Sequence, residues 1–116
     1  MDGCSLPKAE RLCGKKAVGA LLDGGKGGVC GSLRYRYLQR GDDAAPRMMV
    51  SVPKRAFKRA VKRNLLKRRI RESYRRQKGL LPAGVDILFI YASQELLPYA
   101  DIYADMTAVL SRFSHE

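Results

Sequence analysis

Residues 54–78 read KRAFKRAVKRNLLKRRIRESYRRQK, with thirteen of the chain's 23 basic residues and a single acid, Glu72. Lysine and arginine at this density do one kind of chemistry well: they neutralise phosphate oxygens, arginine through paired N–H donors. The rest of the 116-residue chain carries ten basic and ten acidic residues, so the net charge of +12 belongs to this one segment. Such a surplus points to a polyanion, most directly a nucleic acid, because each neutralised phosphate releases condensed counterions. An anionic membrane surface is the main competitor.

Residues suited to other chemistry are few and scattered. Cys4, Cys13 and Cys30 are odd in number, form no CxxC pair and have only His115 for company. Neither a disulfide framework nor a zinc site is indicated, and a reducing cytoplasm fits best. His115 is expected to be a solvated terminal residue, and Asp42 and Asp43 are expected to shape a turn rather than act as an acid–base pair. The stretch LLDGGKGGV looks on its face like a phosphate-binding loop, yet the Ser or Thr after Lys26 is missing and the stretch follows a helix, so GGKGG is expected to be a flexible connector. No catalytic site and no metal site is expected in the chain.

The elements that must position the basic segment can be read from periodicity. One domain, 1–116, is expected, long enough to close a core without metal or disulfide. The start, MDGCSLPKAERLCGKK, lacks the apolar core of a signal peptide, and no run approaches the roughly 18 apolar residues of a membrane span, so a soluble protein is expected. Pro7 suits the first turn of a helix running to about Leu22, with Leu12, Val18, Leu21 and Leu22 on its buried side. In SLRYRYL, Leu33, Tyr35 and Tyr37 alternate with Arg34, Arg36 and Leu38, the period of a strand with one aromatic and one basic face. GDDAAP is a turn, and RMMVSVP is expected to return antiparallel to the first strand as a hairpin. VDILFIYA reads as a central buried strand, and Ile102, Met106, Val109, Leu110 and Phe113 form the stripe of a closing helix. The order predicts an α+β sandwich with helices against a small sheet.

The basic segment has its own stripe: Leu66, Ile70 and Tyr74 are i, i+4 neighbours flanked by Ser73 and Gln77, while Asn64, Lys67, Arg68, Arg71 and Arg75 fall on an adjoining arc. A merely solvated face would need balanced charge, whereas thirteen cations against one acid repel at i, i+3 and i+4 spacing. The stripe is too narrow for membrane insertion, and Gly79 and Pro82 stop the helix where a leucine zipper would begin.

With those residues in view, PKRAFKRAVKRNLLKRRIRESYR resembles the signature of the bacterial ribonuclease P protein subunit. Lys54 and Arg55 match the family's basic pair at a strand end, Ala60 and Val61 its Ala-Val, Arg63 and Asn64 the start of its Arg-Asn-Arg. Lys67 and Arg68 match the next basic pair, and Arg71 and Glu72 the helix continuation. The similarity extends over ERLCGKKAVGALLDGG, SLRYRYL, RMMVSVPKR, GVDILFIYAS and the last helix. Two departures stand out: one residue is inserted before Ala60, with Phe57 near the family's glycine, and Leu65 replaces the second arginine of Arg-Asn-Arg.

The resemblance implies an α+β sandwich whose βαβ unit has a left-handed crossover, against the usual rule. It implies a protein cofactor of a ribozyme that removes the 5′ leader of precursor tRNA, with the ribonuclease P catalytic RNA and precursor tRNA as partners, Mg²⁺ bound mainly by the RNA, and no DNA or membrane. A ribosomal or other structural RNA-binding protein is the alternative. Lys54, Arg55, Lys58, Arg59, Lys62, Arg63, Asn64, Lys67, Arg68 and Arg71 are the expected contacts with catalytic RNA. A leader-binding cleft between sheet and first helix would involve Val18, Leu22, Arg34 and Arg36, with phosphate contact replacing the family's aromatic stacking. Leu65, read as lying on the charged side, would mark a lost RNA contact.

Overall fold

The computed structural model describes residues 11, 12 and 15–114. In chain order these form α1 (Lys15–Gly24), β1 (Lys26–Cys30), β2 (Leu33–Gln39), β3 (Arg47–Ser51), α2 (Ala60–Arg75), β4 (Val85–Tyr91) and α3 (Tyr99–Ser111), with short 3₁₀ turns at Lys78–Leu80 and Arg112–Ser114. The strands make one four-stranded sheet in the order β1-β2-β4-β3; β1–β2 and β2–β4 are antiparallel, and β3–β4 is parallel. The fold is α+β.

Two side-chain periods decide how the helices sit. Along α2, Leu66, Ile70 and Tyr74 are fully buried together with Ser73. Burying each large apolar side chain contributes on the order of 1.5–3 kcal/mol, which holds a helix whose other faces are charged against the sheet. Along α3, Ile102, Met106, Val109 and Leu110 do the same. Both helices meet the sheet face that carries Leu33, Tyr35, Val50, Ile87, Phe89 and Tyr91. Tyr35 and Tyr37 belong to this face, their rings 6.3 and 4.8 Å from that of Phe113. The two helices are also pinned by polar contacts: the Gln77 side-chain amide donates to the Ser73 and Tyr103 carbonyls, and the Thr107 hydroxyl donates to the Gln77 oxygen at 2.5 Å.

α1 covers part of the opposite face. Its Leu21 is fully buried and clusters with Leu12 and Leu88, with Ala17, Leu38, Met49 and Ile90 packed around them. Leu12 is buried as expected but precedes the helix, its N–H bonded to the Met48 carbonyl at 2.9 Å. Leu22 is 49% exposed, so it is not on the buried side. Pro7, the expected helix start, lies outside the described residues.

Two further expectations are corrected. RMMVSVP does not form a hairpin with β2; β3 pairs in parallel with β4, which lies between them. The hairpin is β1–β2 instead, so GGKGG is not a flexible connector: its last residues are paired as an edge strand, with Gly27 opposite Arg36 and Gly28 opposite Tyr35. A Cβ on Gly28 would stand 2.6 Å from the Tyr35 hydroxyl, which is why a strand so poor in side chains fits there.

Candidate nucleic-acid interface

The parallel β3–α2–β4 unit brings the end of β3, residues 53–59, the first turns of α2 and the end of β4 to one side of the molecule. Lys54, Arg55, Lys58, Arg59, Lys62, Asn64 and Arg68 are exposed there, and Arg63, Lys67 and Arg71 are half-buried. Among the described residues none of Lys54, Arg55, Lys58, Arg59, Lys62, Lys67, Arg68 and Arg71 is paired with a carboxylate. The one acid of the segment is engaged elsewhere: Glu72 accepts from Arg75 Nε and Nη2 at 2.9 and 2.7 Å and from Arg76 Nε at 2.7 Å. The hydrogen bond to Glu72 raises the Arg76 guanidinium above its ordinary value. Uncompensated charge is therefore concentrated on residues 54–71, held rigid by the buried stripe of α2.

Three of the expected contacts look different in three dimensions. Arg63 Nη1 donates to the carbonyls of Phe57 and Lys58, both at 2.8 Å, so this side chain closes the loop leading into α2 as well as adding charge. Asn64 points outward and makes no cap; the N-cap of α2 is Arg59, without a side-chain bond. Leu65 is half-buried, four residues before Arg69, whose guanidinium donates to the Leu97 carbonyl. Its edge of α2 therefore turns toward residues 92–98 and not toward Lys67 and Arg71, which flank the other side of the stripe.

The opposite sheet face divides into rows by register. Across β2, β4 and β3 the rows run Arg34, Ile90, Ser51; Arg36, Leu88, Met49; and Leu38, Asp86, Arg47. Arg36 is committed to α1, its Nη2 donating to the Leu22 carbonyl at 2.8 Å, where a cation complements the helix C-terminus. Val18 is half-buried on α1. Arg34 alone of the four cleft residues lines an open groove of about 310 Å³, walled by Pro53, Arg55 and Ala56 on one side and Ala92, Ser93 and Gln94 on the other. Arg55 thus joins the cleft to the basic surface. Ser93 and Gln94 carry no sequence signal of this role; they become visible only when β4 ends beside β3.

A buried ionic group at the far end of this face was hidden inside an apolar run. Asp86 is 2% exposed and accepts from Arg47 Nε at 2.8 Å, from Arg47 Nη2 at 2.7 Å and from Arg40. Burial pushes its carboxyl up, but hydrogen bonds from Arg47 and Arg40 outweigh that and hold it below the usual carboxylate range. Arg40 also bonds Asp42 and the carbonyls of Ala44 and Ala45, so the cluster fixes the turn before β3. Among the described residues no group of three His, Cys, Asp or Glu side chains stands close enough to hold a metal, and the Asp86 cluster, already saturated by two arginines, does not fit one. No described helix is long and apolar enough to cross a membrane.

A basic helix on an α+β sandwich, with a cationic groove at its approach, defines a class of protein suited to a polyanionic partner. Comparison with known proteins gives that class its family. The ribonuclease P family profile matches residues 6–114, and the chain belongs to the ribonuclease P protein family. The ribonuclease P protein component of Porphyromonas gingivalis is 38% identical over 106 residues, covering 90% of this chain and 77% of that protein. That of Thermotoga maritima is 54% identical over a shorter stretch of 39 residues. Among solved structures, the Thermotoga maritima ribonuclease P protein superposes with a TM-score of 0.78 at 26% identity, over 89% of this chain and 96% of that one. The Staphylococcus aureus protein gives 0.78 at 25% identity, over 90% and 95%. The chain is thus a subunit of the endoribonuclease of tRNA 5′ processing, in which the catalytic activity lies in the RNA.

Proposed function

We propose that the chain, as a single domain over 1–116, binds the catalytic RNA of ribonuclease P through residues 54–71 and holds the 5′ leader of precursor tRNA in the groove between Arg34, Arg55 and Gln94. The observation that carries this is the set of eight uncompensated cations on one rigid surface, which a phosphate backbone neutralises. The contacts are to backbone, so they position the RNAs without reading their sequence. Arg34 and Arg55 line the groove that opens beside this surface, so one strand can run from the leader groove onto the helix. Mg²⁺ supplies the hydrolytic chemistry and is bound by RNA; the protein's part is to offset the repulsion between two RNAs brought together. The cytoplasm, where precursor tRNA is made in bacteria, is the compartment.

The rival is a structural RNA-binding protein with no role in cleavage. Tagged protein recovered from cells of its source distinguishes them. Co-purification of ribonuclease P RNA with precursor tRNA is expected; recovery of ribosomal RNA alone overturns the proposal.

A further inference from the structure

The groove has one wall that α2 itself holds in place. Arg69, half-buried and absent from the expected RNA contacts, sends its Nη1 to the Leu97 carbonyl in the segment joining β4 to α3. That segment is cross-tied from within: the Tyr91 hydroxyl donates to the Glu95 carbonyl at 2.5 Å and accepts from the Leu97 N–H at 3.2 Å, and the Glu95 N–H donates to Ser93 Oγ at 3.0 Å. Ala92, Ser93 and Gln94 are its contribution to the groove, which Arg55 and Ala56 also line. The facing wall leans on the same tyrosine, since the Phe57 ring packs 5.9 Å from that of Tyr91. Both walls are thereby referred to one point, and two arginines of α2 tie it to the helix: Arg63 holds the Phe57 side and Arg69 the Leu97 side.

We propose that Arg69 is a positioning residue for the leader groove: it fixes the Ser93–Gln94 wall relative to α2, and so sets the groove's width in register with the RNA-bound helix. This rests on the assignment of the groove to the leader. A guanidinium spent on a carbonyl retains its charge, so Arg69 resembles its neighbours in composition while doing different work. A carbonyl bonded to a charged donor is held more firmly than one bonded to water. Losing the bond frees residues 93–97 to move, and the cost falls on substrates that reach the groove.

The test uses holoenzyme reconstituted from the full chain and catalytic RNA, with two precursors, one bearing a long leader and one a single-nucleotide leader. For Arg69→Leu the KM for the long-leader precursor should rise about three- to tenfold with kcat unchanged. The short-leader precursor, the affinity for catalytic RNA and its salt slope should stay as in wild type. Arg69→Lys, which keeps a donor, should recover part of the loss, and amide exchange at Glu95 and Leu97 should quicken in Arg69→Leu. Equal losses on both precursors, an unchanged long-leader KM, or a shallower salt slope for catalytic RNA would each overturn the assignment, the last by making Arg69 a phosphate contact. If Arg69→Leu does not fold, Arg69→Lys and Arg69→Gln carry the same comparison. A wild-type holoenzyme indifferent to leader length would remove the leader assignment itself, a result distinct from failure of Arg69 alone.

Discussion

Asp86→Asn should destabilise the fold by about 3 kcal/mol while leaving RNA affinity intact. The side chains of Asp86, Arg40 and Arg47 are 3%, 13% and 32% exposed, and the carboxylate accepts from both guanidinium groups. An amide of the same shape turns an NH₂ toward one of those donors, leaving buried charge without its counterion. Removing one partner of a buried ion pair costs about 3–5 kcal/mol. The lower end applies because Arg47 can recover some water and Arg40 keeps Asp42. For a domain of this size that is a fall in Tm of roughly 12 °C. The pH dependence has a definite sign. Asp86 is lowered in the folded state, so its contribution is full above the unfolded carboxylate value of about 3.9 and is lost as pH falls through the folded value. Urea titrations of both proteins should therefore converge on acidification below about pH 4. Asp42, likewise lowered by its Arg40 bond, titrates in the same direction and is present in both. A difference under about 1 kcal/mol at neutral pH, or one undiminished in acid, would refute the assignment of Asp86 as the tie between β3 and β4.

Lys67→Ala should reduce the slope of log affinity for catalytic RNA against log salt by about 0.7–0.9, with little change in Tm; an unchanged slope removes Lys67 from the interface. Arg63→Ala should lower both affinity and stability, the latter by about 1–3 kcal/mol, since the Phe57 and Lys58 carbonyls lose their donor; a change in affinity alone, checked by thermal melting, would contradict the loop-closing role. Leu65→Arg should leave RNA affinity unchanged in a filter-binding assay, because its edge of α2 faces residues 92–98; a clear gain would put that edge on the RNA side.

Where side chains repeat with a period, the sequence was readable. Leu66, Ile70 and Tyr74 announced the buried face of α2, the stripe from Ile102 to Phe113 announced α3, and the alternation in LRYRYLQ sorted Tyr35 and Tyr37 from Arg34 and Arg36. Strand partnership was not readable, because pairing is a long-range choice: nothing local in RMMVSVP says that its neighbour is β4, thirty-odd residues later, rather than β2. GGKGG reads as a connector because glycine lowers strand propensity; the small residues fit the close approach of the Leu21 and Tyr37 carbonyls to Gly25 and of Tyr35 to Gly27 and Gly28. Asp86 gives no local signal inside VDILFIY because its partners, Arg40 and Arg47, lie on other strands and turns. Arg36 illustrates the same limit at the site: its type suited phosphate, but the C-terminus of α1 claims it.

If residues 54–71 seat the chain on catalytic RNA, as proposed, the RNA should cleave with fewer metal ions. Cleavage of precursor tRNA by the catalytic RNA at a Mg²⁺ concentration too low for the RNA alone measures this directly. The wild-type chain should restore cleavage, and a variant with Lys58, Lys62, Lys67 and Arg68 changed to Ala, folded by its Tm, should not. Restoration by that variant equal to wild type, or none by the wild-type chain with a correctly folded RNA, would contradict the claim.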